Sequence, residues 1–76
     1  MTDIEIFEKH ITDALEAYKQ EQEHILFLKK RLKVCDNEVG KQVLRERIRL
    51  CKKYAKGYLE NAESGKRYVK HIKETV

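Results

Sequence analysis

The side chains able to bind a metal or move a proton are few: His10, His24 and His71, the thiols Cys35 and Cys51, and scattered carboxylates. A zinc site takes four such ligands, or three and a water. No CxxC or HxxxH spacing gathers them, and His24 with Cys51 makes only a pair. The chain is therefore expected to hold no metal and to need no cofactor. Glycine-rich phosphate loops, a nucleophile elbow, paired carboxylates and a cysteine–histidine dyad are also absent, so no enzymatic activity is expected.

Anion binding is the chemistry that the composition offers instead. The stretch KKYAKGY, residues 52–58, interleaves lysines with Tyr54 and Tyr58, the pairing of ammonium groups and aromatic faces that single-stranded nucleic acid uses. Charge is unevenly placed along the chain. Residues 1–23 carry seven acidic side chains against two lysines, residues 24–56 carry eleven basic against three acidic, and the rest is nearly balanced within a net charge of +4. The basic segment supplies Lys29, Arg31, Lys33, Arg45, Arg47, Arg49 and Lys52 as candidate anion-binding residues. Nucleic-acid phosphate is the commonest partner for such a cluster, and an acidic protein surface is the rival. The plainer reading is a solvated face that keeps a small protein soluble.

These residues need elements to hold them. Proline is absent, glycine appears three times and 39% of the residues are charged, which suits long amphipathic helices. Apolar or tolerated positions recur in steps of three and four through Ile4, Phe7, Ile11, Ala14, Tyr18, Glu21, Ile25, Leu28, Leu32 and Cys35, with Glu21 as the one break. A second series runs Leu44, Ile48, Cys51, Ala55, Tyr58, Ala62, Gly65, Val69, Ile72 and Val76. The two share no register, since continuing the first would put Gln42 and Glu46 where Leu44 and Ile48 define the second. The spacing predicts an all-α chain with one helix over residues 3–34, a turn over 35–41 around Asp36, Asn37 and a left-handed Gly40, and a second helix over 41–74. So short a connection makes an antiparallel hairpin, a single domain in which residues whose numbers sum to about 76 face each other. Ile11 then meets Gly65, Tyr18 meets Tyr58, Glu21 meets Ala55 and Leu28 meets Ile48, while Glu8 lies close to Lys66. The alternative is a break near Asn61, Ser64 and Gly65 that starts a short third helix.

In that hairpin Lys29 faces Arg45 and Arg31 faces Arg47, so the turn end is positive and calls for a neutralising partner. Tyr58 points into the seam, whereas Tyr54 and Tyr68 share a flank with Arg47 and Asn61, where they line a subunit interface or stack on bases. His24 is expected beside Tyr54, and His10 beside Tyr68. Apolar residues off the seam, Leu15, Leu26, Phe27, Val34, Leu50 and Leu59, need a second surface. A homodimer forming a four-helix bundle, or a higher oligomer, covers them, with Leu26, Phe27, Val34, Leu50, Tyr54, Leu59 and Tyr68 as candidate interface residues. Two other readings use the same groups. In one, the chain is an inhibitor or adaptor that docks Leu26, Phe27, Val34 and Leu50 on a larger target. In the other, His10, His24, Tyr54 and Tyr68 frame a small-molecule cavity between protomers.

The longest apolar run, Ile25 to Leu28, is far short of the roughly 20 residues that span a bilayer, so no membrane association is expected. Without a basic-then-apolar leader, and with too few cysteines for a disulfide framework, a cytoplasmic protein is the expectation.

Overall fold

The computed structural model describes residues 2–75, and two helices account for nearly all of them. α1 spans Asp3–Val34 and α2 spans Glu38–Thr75, packed along each other as an antiparallel hairpin 59 Å long and 15 by 14 Å across. Among the described residues there is no strand. Nor, among the described residues, is any helix long and apolar enough to cross a membrane.

Local chemistry sets the ends. Thr2 caps α1 by accepting the Glu5 N–H at 3.2 Å, which satisfies an amide that the first turn leaves free. Acidic Asp3 and Glu5 in the first turn, and basic Arg31 and Lys33 in the last, complement the helix dipole. At Cys35 the backbone becomes extended, with φ −80° and ψ 124°, and the chain reverses through Cys35, Asp36 and Asn37 alone.

The turn is tighter than expected. α2 starts at Glu38 rather than near residue 41 because Asn37 takes the capping position, its Oδ1 accepting the Gly40 N–H at 3.1 Å and its carbonyl the Lys41 N–H at 2.9 Å. Gly40 is thus inside the first turn of α2, and no described residue has a positive φ. Close approach explains the glycine instead: a Cβ there would come within 2.9 Å of the Cys35 Sγ. Nor does α2 break at Asn61, Ser64 or Gly65, for it runs unbroken to Thr75 and excludes a third helix.

The seam lies where the 3.5-residue repeat puts it. Ile25, Leu28, Ile48, Ala55, Ala62 and Val69 are buried, and the other described members of both series are at least half-buried. Ile11 packs on Gly65 so closely that a Cβ would sit 2.8 Å from the Ile11 Cγ1, which makes this glycine a packing requirement. Toward the open end the Phe7 and Tyr68 rings meet at 4.4 Å between centroids. Near the turn Ile25, Leu28 and Ile48 form the one cluster of large buried side chains among the described residues, enclosed by Leu32, Leu44 and Cys51. Each such side chain contributes about 1.5–3 kcal/mol when fully buried, so the core of the isolated hairpin is small.

Candidate nucleic-acid interface

A straight seam gives each helix two flanks, and the grooves along the rod show which residues share one. Near the turn a groove of about 500 Å³ is bordered by His24, Phe27 and Arg31 from α1 and by Gly40, Val43 and Arg47 from α2. Toward the open end a groove of about 450 Å³ is bordered by His10 from α1 and Asn61, Ser64 and Tyr68 from α2. His10, His24 and Arg31 differ by multiples of seven, as do Gly40, Arg47, Tyr54, Asn61 and Tyr68, so both grooves lie on one side of the rod, here the aromatic flank. On the other side Glu8 borders a groove together with Lys66, Lys70 and Lys73. Lys29 is in register with Glu8, Arg45 and Lys52 with Lys66, and Arg49 and Lys56 with Lys70; Lys33 lies one turn beyond Lys29. This is the lysine flank.

The seven candidate anion-binding residues are all exposed, yet they divide between the flanks. Lys29, Lys33, Arg45, Arg49 and Lys52 fall together on the lysine flank. Arg31 and Arg47 do not join them; they border the turn-end groove, where the Arg31 guanidinium lies 5.9 Å from the centroid of the Phe27 ring. KKYAKGY divides the same way, with Lys52 on one flank, Tyr54 on the other and Ala55 2% exposed between the helices. Heptad position already sets Arg47 on one flank with Tyr54 and Tyr68, with Lys52 across the seam from Tyr54, and it shows too that Lys56, Lys66, Lys70 and Lys73 extend the basic row toward the open end.

Of the seven, only Arg49 has a carboxylate partner among the described residues. It grips Glu46 through two nitrogens, its Nε donating at 3.2 Å; these bonds hold the Glu46 carboxyl below its ordinary pKa and push the Arg49 guanidinium up. At the open end Lys73 pairs with Glu8 at 3.5 Å, in place of the expected Lys66, which borders the same groove. Lys70 reaches Glu74 at 3.9 Å. Free positive charge is therefore concentrated toward the turn.

Of the candidate interface residues, Phe27, Val34, Leu50, Tyr54 and Tyr68 are exposed on the aromatic flank, Val34 to 82%. Leu26 is exposed and Leu59 half-buried, both on the lysine flank. Ile6 and Val43 join the aromatic flank without having been singled out from the sequence. His10 and His24 sit in separate grooves, so within one hairpin they frame no common cavity. His24 stacks near Phe27, with centroids 6.4 Å apart, and His10 lies edge-on to Phe7. No group of three or more potential metal ligands occurs among the described residues. Both thiols are free.

Glu21 meets Cys51 rather than leaning on Ala55 alone. Burial first, and then the neighbouring Glu21 carboxylate, raise the Cys51 thiol pKa. The Glu21 Oε2 is nonetheless buried without a hydrogen-bond partner.

Comparison with known proteins returned no matching family model, no matching curated protein and no matching solved structure.

Proposed function

We propose that this protein is a non-enzymatic, cytoplasmic nucleic-acid-binding hairpin that acts as a self-associated four-helix bundle. The observation that carries this reading is the row Lys29, Lys33, Arg45, Arg49 and Lys52 on one flank of a straight rod, with every member but Arg49 free of a carboxylate partner among the described residues. Like charges left facing each other across a hairpin destabilise it unless an anion neutralises them. A nucleic-acid backbone is a regular row of such anions, and the cations that contact it displace condensed counterions.

The lysine flank also limits the mode of binding. Tyr54 and Tyr68 lie on the opposite side, so one surface cannot both grip phosphates and stack bases on these rings. Contact with the sugar-phosphate backbone, indifferent to base sequence, fits such a surface.

Mobility-shift titrations with generic duplex DNA and RNA at several salt concentrations test the proposal. Affinity is expected to fall steeply with salt, and Lys29→Glu with Arg45→Glu together should weaken binding to all sequences alike and flatten the salt slope by about one for each phosphate that the variant no longer neutralises. Absence of binding at low salt would retire the idea.

A second reading, capture of an acidic protein helix, draws on Leu26, which is 59% exposed among the lysines and could anchor an apolar side chain. Under that reading Leu26→Asp abolishes capture of the protein partner, and nucleic acid does not bind.

A further inference from the structure

We infer that the aromatic flank is covered by a second copy of this chain, laid antiparallel so that the turn end of each hairpin rests on the open end of the other, with the two copies crossing at Gly57. This rests on the self-association part of the function proposed above and adds to it the face, the direction and the crossing point.

Gly57 carries the argument. It lies midway along α2, where glycine costs about 1 kcal/mol relative to alanine. The glycines of the seam and turn have a reason inside the hairpin, since a Cβ at Gly65 would strike Ile11 and one at Gly40 would strike Cys35. A Cβ at Gly57 would meet nothing within 4 Å. It is on the aromatic flank, level with half-buried Ala17 of α1, and on its own helix the exposed Leu50 and Tyr54 precede it and the exposed Asn61 and Tyr68 follow it. Glycine there lets two backbones approach at a crossing, and a two-fold axis through that point brings the same residue of both copies together.

Charge selects the direction. If the two-fold axis ran along the rod, turn would lie on turn, and Arg31 and Arg47 of both copies would crowd together. With the axis across the rod, α1 lies on its own copy with Asp3 level with Val34, which sets Asp3 and Asp13 of the aromatic flank over the half of the other α1 that carries Arg31 on that flank. His24 then falls against Asp13 of the second copy, and Arg31 against Ile6 within a turn of Asp3. A face of 59 by 15 Å is also of the order of the ~800 Å² per partner that a stable interface buries. The lysine flanks stay outward on opposite sides of the bundle.

Cross-linking tests the geometry. In a Cys35→Ser, Cys51→Ala background whose helicity is checked by circular dichroism, Gly57→Cys under oxidised glutathione is expected to link most of the chain into dimers, whereas Val34→Cys does not link to itself but does link to Asp3→Cys in a mixture. Self-linking at Val34→Cys without linking at Gly57→Cys overturns the antiparallel assignment and leaves self-association standing. A monomer by sedimentation at all accessible concentrations overturns both. Should the cysteine-free background fail to fold, Gly57→Leu in the native sequence is read by sedimentation. Dimer affinity is expected to drop by about tenfold or more at unchanged helicity, as overpacking a close crossing would cause, and an unchanged affinity overturns the inference.

Discussion

Glu21 stands at a seam position that every neighbour in the repeat fills with an apolar, small or aromatic group. Its Oε2 is buried without a hydrogen-bond partner, and the nearby Cys51 thiol is held protonated by burial and by that same carboxylate. A buried acceptor left without a donor costs on the order of 1–3 kcal/mol, whereas an apolar side chain of similar size restores the packing. Glu21→Leu is therefore expected to raise the unfolding free energy of the hairpin by about 1 kcal/mol, read from denaturant midpoints. A fall in stability would mean that the carboxylate has a partner in solution. Polar seam residues commonly fix register and oligomer state, so retention of a destabilising glutamate is consistent with selection for one assembly over others.

At the scale of elements, two glycines of α2 make a controlled comparison. Gly65→Ala gains helix propensity but drives a Cβ into the branched Ile11 side chain, while Gly57→Ala meets open space within the hairpin. In protein dilute enough to be monomeric, Gly57→Ala is expected to stabilise by about 1 kcal/mol and Gly65→Ala to destabilise, as measured by thermal unfolding. Equal effects would refute the packing assigned to Ile11. Much of this architecture was readable in the sequence, because the repeat through Ile4 to Cys35 and through Leu44 to Ile72 specifies a stripe on each helix, and two stripes joined by a short turn can only face each other. The start of α2 was less readable. Asn37 and Gly40 both signal turns, and it is the asparagine that decides: its Oδ1 accepts the Gly40 N–H at 3.1 Å and draws the glycine into the first turn of α2. The division of the basic cluster was legible in part: heptad position puts Arg47 with Tyr54 and Tyr68 on one flank and Lys52 on the other, whereas pairing Lys29 with Arg45 and Arg31 with Arg47 gives only their level along the rod.

For the whole molecule, the placement of the cluster of large buried side chains beside the turn decides the order of events. Ile25, Leu28 and Ile48, with Leu32, Leu44 and Cys51 around them, lie next to the turn, so they join parts of the chain that are close in sequence. The Glu8–Lys73 contact at the other end must bring together residues 65 positions apart. Closing a long loop costs more entropy than closing a short one, and the short loop here also gathers the most apolar surface. Hydrogen exchange is expected to be slowest in the amides around Ile25, Leu28 and Ile48 and to quicken toward Ile11 and Val69; uniform protection, or the reverse gradient, would contradict this. The hairpin then closes as a zip does, from its fastened end outward, and its two free tips are the first to part.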